Sequence, residues 1–393
     1  MSKVEELLEK YNPDGVPNKL LVECSLIDYG YPFTSSMFTD DSSYIPIIRI
    51  RDVKPGKAST YYMGNYSKEY IVKRGDILVG MDGEFNLEKW NDIDSLLNQR
   101  VARITEMPSK STKGYLYHIL GPIFKKIERE ISGGSVKHLS VKIINSISIP
   151  LPHIKVQEEI VKILDSFTNL IDALNEELSL RQKQLEYYRD QLYDDLFKKT
   201  KGVDVLCFSE LGQIERGKRF VRDDIKSHGQ PCIHYGDMYT FYGVKSNKAK
   251  TYLDRDFPKK MRYADIGDVI IVGAGENNWD IGVGLAWLGE EPAAVHDACY
   301  IVKHNNNPLF IAYYTRTTEY HQQLKKCVSE GKICSFSAEG LGKVTIPIPS
   351  LAIQQSIVEK LDAFESLISS LKEEIALRQK QYEYYREKLL TFD

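Results

Sequence analysis

An internal duplication constrains this chain more than any other feature of its sequence. The segments that begin at Ile149 and at Ile346 lie 197 positions apart, and about half of their residues are identical. The regions before them are less alike, but they share a Gly-Asp strand pattern at 75–80 and 267–273 and a glycine turn at 133–135 and 330–332. We therefore interpret the chain as two variable modules, each followed by a copy of one repeated segment.

Each repeated segment predicts one long helix with a coiled-coil seam. Apolar residues recur by alternating steps of four and three, which is the 3.5-residue period of a coiled coil. The Pro-x-Pro pairs at 150–152 and 347–349 precede the points where these helices can begin. The predicted interface residues are Leu164, Phe167, Ile171, Leu174 and Leu178 in the first copy and Leu361, Phe364, Ile368, Leu371 and Ile375 in the second.

An apolar seam on one helix must pack against a second apolar seam. The helix of the other repeated segment is the obvious partner. The first helix leads from the first module to the second, so two packed helices that hold the modules apart must run antiparallel. Arg181 and Arg378 occupy the polar position of each seam, and we include them in the predicted interface. They either set the register of the pair or turn outward to solvent, and the sequence leaves both readings open.

The variable modules have the pattern of mixed α/β domains. Short β-rich stretches at 43–53, 75–80 and 98–104 alternate with glycine turns, and residues 115–131 and 308–328 have helical patterns. The predicted fold class is α+β, with two α/β domains separated by two long antiparallel coiled-coil helices in a pseudo-twofold tandem repeat. The predicted boundaries are 1–153 and 200–350 for the modules and 154–199 and 351–393 for the helices.

Composition excludes several classes of protein. The 393 residues carry a net charge of −3, and the acidic excess lies on the repeated helices, so the protein is not uniformly basic. The six cysteines form no C-x-x-C pair, which argues against structural zinc and a disulfide framework. No stretch has the length and apolarity of a membrane span, and residues 1–10 do not resemble an export signal. We expect a cytoplasmic protein that does not contact a membrane.

Basic clusters in the nearly neutral modules suggest contact with nucleic acid. Residues 216–222 and 245–250 combine lysines or arginines with nearby tyrosines, the mixture expected of a sequence-reading surface. An ordinary solvated surface is the alternative reading of such clusters, and the residues alone leave both open.

Three segments imitate catalytic or cofactor motifs, and each lacks a necessary residue. The phosphate-loop pattern from Gly212 to Lys218 continues with Arg219 in place of Ser or Thr. The strand-and-glycine pattern at 269–275 has Asn278 where a dinucleotide fingerprint needs its third glycine. Asn307-Pro308 lacks the second proline of a base-holding methyltransferase loop, so we interpret Asn307 as a helix cap. We expect the chain to be non-catalytic.

These features together resemble the specificity (S) subunits of type I restriction-modification systems, whose members alternate two target-recognition domains with two conserved helical regions. The resemblance covers essentially the whole chain. It rests on Ile-Pro-x-Pro followed by Gln157 or Gln354, on Tyr-Tyr-Arg at 187–189 and 384–386, and on weaker matches inside the modules: residues 12–16, 98–100 and 211–218.

The resemblance implies a DNA reader that works in a complex. Each recognition domain would grip one half of a bipartite double-stranded DNA target, with base contacts in the major groove. Two methyltransferase subunits would dock on the helices and the recognition domains, with S-adenosylmethionine bound by those partners. A restriction-translocase subunit using ATP and Mg²⁺ would join through them, and this chain would bind no cofactor or metal itself. The acidic faces of the helices suit protein contact. The residues predicted to be exposed on these faces are Glu158, Glu159, Glu176, Glu177, Glu373 and Glu374.

Base-reading residues are expected in the loops of each module. Asn suits a bidentate contact with adenine, and Arg or Lys one with guanine. The candidates are Asp82, Glu84, Asn86, Ser135 and Lys137 in the first module and Lys218, Arg219, Arg222, Glu276, Asn277, Asn278 and Lys332 in the second.

Two alternative functions remain open at this stage. The chain could be the remnant of a bifunctional methyltransferase and nuclease, which methyl transfer by the isolated chain would reveal. It could also be a coiled-coil scaffold that binds only protein, which a lack of DNA retention in the presence of methyltransferase subunits would reveal.

Overall fold

The structure is a computed structural model that describes residues 2–131, 137–198, 202–257, 261–275, 281–329, 331 and 333–392. The chain forms two compact units, Met1–Asn175 with Glu374–Asp393 and Glu176–Glu373. Each unit therefore contains one variable module together with parts of both repeated segments. Among the described residues, no helix has the length and apolarity that crossing a bilayer would require.

The module of the first unit is built from short strands and a few helices. Its strands are β1 (Asn18–Leu20), β2 (Ser25–Tyr29), β3 (Phe38–Thr39), β4 (Ile45–Ile48), β5 (Tyr61–Tyr62), β6 (Ile71–Val72), β7 (Ile77–Gly80), β8 (Leu87–Lys89), β9 (Ser95–Leu97), β10 (Val101–Glu106) and β11 (Ser148–Pro150). Its helices are α1 (Lys3–Tyr11), α2 (Leu21–Cys24), α3 (Ile50–Val53), α4 (Lys113–Glu130) and α5 (Val141–Asn145), with 3-10 turns at Ser35–Met37 and Lys68–Tyr70.

Two sheets organise this module. One is antiparallel in the order β2-β10-β7-β8, and the other has the order β3-β5-β4-β9-β6, in which β4 and β9 run parallel. The main core packs α4 against the first sheet through buried side chains such as Phe85, Tyr115 and Phe124.

The first repeated segment forms α6 (Ile154–Lys198), a helix of 45 residues. It contains neither Gly nor Pro, so nothing in its sequence interrupts the backbone hydrogen bonds. Within the first unit, Ile160 and Leu164 of α6 enter the core of the module. The ring of Phe167 stacks on that of Tyr385, with centroids 5.2 Å apart.

The module of the second unit has the same kinds of elements. Its strands are β12 (Asp204–Cys207), β13 (Gly212–Arg216), β14 (Gln230–Ile233), β15 (Lys245–Ser246), β16 (Thr251–Leu253), β17 (Tyr263–Ala264), β18 (Val269–Val272), β19 (Ala274–Gly275), β20 (Gly284–Trp287), β21 (Ala293–Val295), β22 (Cys299–His304), β23 (Cys334–Ser335) and β24 (Thr345–Ile348). Its helices are α7 (Phe208–Leu211), α8 (Tyr235–Thr240), α9 (Pro308–Tyr314), α10 (Thr318–Lys325) and α11 (Ala338–Gly342), with a 3-10 turn at Arg222–Asp224.

The sheets of the second module repeat the order of the first. The order β13-β22-β18-β20 corresponds to β2-β10-β7-β8, and β14 runs parallel to β21 as β4 does to β9. The second repeated segment forms α12 (Leu351–Leu390), a helix of 40 residues. Within this unit, the ring of Tyr188 stacks on that of Phe364, with centroids 5.5 Å apart.

The elements agree with most of the sequence-based predictions. Residues 115–130 are helical within α4, which ends at Glu130, and Asn307 caps α9 by accepting hydrogen bonds from the backbone N–H groups of Leu309 and Phe310. Three predictions need correction. Residues 98–104 are not one strand, because residues 98–100 lie in the turn between β9 and β10. Residues 43–53 are not one strand, because the chain turns after Ile48 into α3, where Asp52 accepts a hydrogen bond from the backbone N–H of Arg49. Residues 308–328 are not one helix, because Thr317 caps a second helix, α10.

Candidate nucleic-acid interface

Four chain segments meet at one edge of the first module. We call this surface loop edge 1, and its segments are 30–33 after β2, 81–86 after β7, 98–100 between β9 and β10, and 137–139. Backbone hydrogen bonds join them: Met81 donates to the carbonyl of Arg100 at 2.8 Å, and Gly83 donates to that of Lys137 at 2.8 Å. Asp82 and Lys137, which the sequence placed 55 positions apart, are therefore neighbours.

A carboxylate, an arginine and a histidine form a contact group on loop edge 1. Asp82 Oδ1 lies 2.6 Å from Nδ1 of His138, and Asp82 Oδ2 lies 3.4 Å from Nε of Arg100. Sequence reasoning named Asp82 but did not propose Arg100 or His138 as base contacts. Nothing in the local sequence places His138 beside Asp82, since the contact depends on an isolated β-bridge between the two residues.

The other two candidates of this loop bind neighbouring side chains. Lys125 Nζ donates to Oδ1 of Asn86 at 3.2 Å, and Asn86 Nδ2 donates to Oε2 of Glu84 at 3.1 Å. The hydrogen bond from Asn86 and the nearby ammonium of Lys54 lower the pKa of Glu84. Glu84 is therefore ionised at neutral pH and presents only hydrogen-bond acceptors.

The second module builds a matching surface, loop edge 2, from equivalent segments. They are 217–222 after β13, 273–275 after β18, 296–298 between β21 and β22, and 333–336. Gly273 donates to the carbonyl of Ala298 at 2.7 Å, just as Met81 does to Arg100 in the first module. Lys218 donates to the carbonyl of Val295 at 2.9 Å, which corresponds to the bond from Tyr31 to Leu97.

One glycine in each module makes this arrangement possible. A Cβ atom on Gly30 would collide with the carbonyl of Asn98, and one on Gly217 would collide with the carbonyls of Val295 and His296. Only glycine lets the two backbones approach so closely. In the first module this close approach places residues 30–33, which follow β2, against residues 98–100, which precede β10. In the second module it places residues 217–222, which follow β13, against residues 296–298, which precede β22.

Three candidate basic residues are exposed together on loop edge 2. Lys218, Arg219 and Arg222 all face solvent, whereas Phe220 between them is only 2% exposed. The ring of Phe220 packs on those of His234 and His296, with centroids 5.9 and 5.1 Å away. Burial lowers the pKa of both histidines, so they support the loop as neutral rings.

Five candidate base-reading residues lie outside the described part of the chain. They are Ser135 in the first module and Glu276, Asn277, Asn278 and Lys332 in the second. The loop edges include the described residue on one side of each of these stretches, namely residues 137, 275 and 333.

The predicted seam residues of the two long helices are all at least partly covered. Leu164, Ile171, Leu361, Ile368 and Leu371 are buried, and the intermediate group comprises Phe167, Leu174, Leu178, Arg181, Phe364, Ile375 and Arg378. Arg181 donates to Glu177 and Gln184 of its own helix, and Arg378 likewise donates to Glu374 and Gln381. Each arginine thus pairs with neighbours one turn away on the same helix.

A buried glutamine fastens each module to a long helix. Gln157 is fully buried, accepts a hydrogen bond from the backbone N–H of Thr112 and donates to the carbonyl of Pro152. Gln354 does the same for the N–H of Asn307 and the carbonyl of Pro349. Thr112 and Asn307 are the caps of α4 and α9, so each glutamine joins the start of a long helix to the start of a module helix.

The repeated helices also expose the same apolar residues in both copies. Leu180 and Tyr187 are 65% and 63% exposed, and their counterparts Leu377 and Tyr384 are 61% and 60% exposed. Residues seven apart lie on one face of a helix. Core packing does not account for these exposed side chains, so we treat each pair as a candidate protein contact.

Comparison with known proteins places the chain in a family. The family model described as the type I restriction modification DNA specificity domain matches it twice, at residues 26–181 and 200–377. These matches cover most of the chain, which therefore belongs to that family. The two matched stretches are the two halves of the duplication.

Individual relatives agree with this assignment. The chain is 27% identical to the type I restriction enzyme EcoR124I/EcoR124II specificity subunit of Escherichia coli, across 100% of this chain and 97% of the relative. It is 29% identical to a putative type I specificity subunit of Haemophilus influenzae, across 84% and 88%. The EcoBI specificity subunit of Escherichia coli is 37% identical, but over only 42% of this chain and 34% of the relative.

Solved structures show the same fold at low sequence identity. A type I S subunit from M. genitalium aligns over 95% of this chain and 96% of its own, with a TM-score of 0.55 and 14% identity. A chain from a study of complex assembly in a type I system aligns over 96% and 97%, with a TM-score of 0.56 and 17% identity. The predicted family is thus confirmed, and the names of the relatives agree with a specificity rather than a catalytic subunit.

Proposed function

We propose that this chain reads a bipartite double-stranded DNA target, one half with each module, through loop edges 1 and 2. The observation that carries the proposal is that both modules gather equivalent loops at one edge, with exposed basic residues on loop edge 2. Base contacts in the major groove would supply specificity and lysines or arginines would fix the position on the phosphates. The chain would do this in the cytoplasm, without a cofactor or metal of its own.

The two long helices would form the antiparallel coiled coil of this architecture. The stacking of Phe167 on Tyr385 in one unit and of Tyr188 on Phe364 in the other supports this pairing. In each unit an early part of one helix then lies beside a late part of the other. The modules would occupy 1–153 and 200–350, and the helices 154–199 and 351–393.

A charge-removal experiment tests DNA binding by loop edge 2. Replacing Lys218, Arg219 and Arg222 by Ala should weaken binding of a duplex that carries the target, and should reduce the salt slope by about 0.9 for each lost phosphate contact. Affinity would be measured by fluorescence anisotropy at several salt concentrations, with the chain in complex with its methyltransferase subunits.

The control removes the same charge from exposed positions on the helices. Lys155, Lys162 and Lys360 are all exposed and lie far along the helices from the exposed apolar pairs, and their replacement by Ala should leave the salt slope unchanged. Equal slopes for the two triple variants would contradict DNA contact by loop edge 2.

The helices would bind two methyltransferase subunits, which carry S-adenosylmethionine, and a restriction-translocase subunit that uses ATP and Mg²⁺ would join through them. Two matching exposed pairs, Leu180 with Tyr187 and Leu377 with Tyr384, support two copies of one partner. The acidic residues predicted on these helices are consistent with protein contact rather than DNA contact.

Replacing both residues of one exposed pair by alanine should remove one methyltransferase subunit from the complex. Leu180→Ala with Tyr187→Ala should lower the retained methyltransferase from two subunits to one, and adding Leu377→Ala with Tyr384→Ala should remove both, because aromatic anchors dominate interface energy. Mass measurement of the purified complexes gives the stoichiometry. Ile93→Ala, at a 65% exposed apolar residue of the first module, is the control, and full occupancy of the fourfold variant would refute docking at these residues.

A further inference from the structure

Arg100 has an unusual backbone conformation. Among the described residues, it is the one non-glycine residue with a positive φ, at 71°. A long side chain is sterically unfavourable in this left-handed region, which Gly or Asn adopts more readily. Such conformations persist where the surrounding structure imposes them, and they often mark functional positions.

The surrounding contacts hold Arg100 on both its main chain and its side chain. Its carbonyl accepts the hydrogen bond from Met81, and its Nε lies 3.4 Å from Asp82 Oδ2. Its Nη1 lies 3.5 Å from Nδ1 of His138, which itself contacts the other oxygen of Asp82 at 2.6 Å. The side chain of Arg100 nevertheless remains 55% exposed. The carboxylate therefore restrains the guanidinium on loop edge 1 without covering it.

We infer that Arg100 reads a guanine in the half of the target that the first module binds, with Asp82 as the residue that positions it. A guanidinium presents paired N–H donors that match the O6 and N7 acceptors of guanine in the major groove. Restraint by Asp82 reduces the conformational freedom that the side chain loses on binding. This inference rests on the proposed function, and it adds a residue and a base to it.

The second module lacks this device. The equivalent backbone position is Ala298, whose carbonyl accepts the hydrogen bond from Gly273 as that of Arg100 does from Met81. Arg255 of the second module is an exposed arginine that lies 3.6 Å from Glu291 but outside both loop edges, and it provides the matched control.

The test compares Arg100→Gly with Arg255→Gly in the complex with methyltransferase subunits. Glycine removes the side chain while suiting the left-handed backbone, so the variant should keep its melting temperature within a few degrees. Arg100→Asn is a second variant that the same backbone accepts. Methylation rates would be measured on duplexes in which each base pair of both half-sites is changed in turn, after methylation mapping of the wild type has identified the target.

The wild type should discriminate by roughly 5- to 100-fold at one G·C pair of the first module's half-site, and both Arg100 variants should lose that discrimination. Discrimination at the other positions, and all discrimination by Arg255→Gly, should be unchanged. An unchanged preference in folded Arg100 variants, uniform weakening as for a phosphate contact, or a half-site without a G·C pair would overturn the inference. Absence of any bipartite methylation by the wild type would instead overturn the proposed function, and this inference with it.

Discussion

Replacing residues 200–345 by the matching module of another family member is expected to change one half of the methylated target and leave the other half as it is. Each loop edge is built entirely from its own module, so base contacts in one should be independent of base contacts in the other. The exchange would be expressed with the methyltransferase subunits, and methylated adenines would be mapped by sequencing. A change in both halves would contradict independent reading by the two modules.

The structure shows how this exchange should be designed. β24 crosses the downstream junction, but it pairs with β12 through backbone hydrogen bonds that do not depend on side chains. Side-chain hydrogen bonds do cross it: Gln354 donates to Asn306, Asn307 donates to Gln355, and Lys245 and Tyr313 both donate to Asp362. A donor module that keeps hydrogen-bonding residues at these positions should therefore fold on the existing helix. A donor that lacks them serves as the comparison, and we expect it to be less stable.

Gln354→Leu is expected to destabilise the second unit strongly. Leucine has a similar volume but leaves the N–H of Asn307 and the carbonyl of Pro349 without their present partners. Each buried group left unsatisfied costs about 1 to 3 kcal/mol. Gln157→Leu should have a similar effect on the first unit, because it removes the equivalent bonds to Thr112 and Pro152. The free energy of unfolding would be measured by denaturant titration of the full chain.

The matched control is Gln182→Leu, the same substitution at an exposed position of α6. It should change the free energy of unfolding by less than about 0.5 kcal/mol, as surface substitutions usually do. If Gln354→Leu were no more destabilising than Gln182→Leu, the buried glutamine would not fasten the module. Loss of methylation specificity in the Gln354 variant at low temperature, where it still folds, would link this fastening to target reading.

The sequence alone was sufficient for the parts of this protein that depend on local pattern. The duplication, the two long helices and the family followed from periodicity, from the absence of Gly and Pro across 154–198 and 351–390, and from repeated motifs. The cap at Asn307 was also predictable, because a cap depends on residues only two or three positions away.

The tertiary structure decided which loop residues meet. Asp82 contacts His138 and Arg100 because strands distant in sequence pair in a particular register, and no local pattern encodes that register. The left-handed backbone of Arg100 was equally hidden, since arginine is not the residue that such a position favours. Gln157 and Gln354 were visible as motif residues, but their role depends on Thr112 and Asn307, more than forty positions away, being brought to them by the fold.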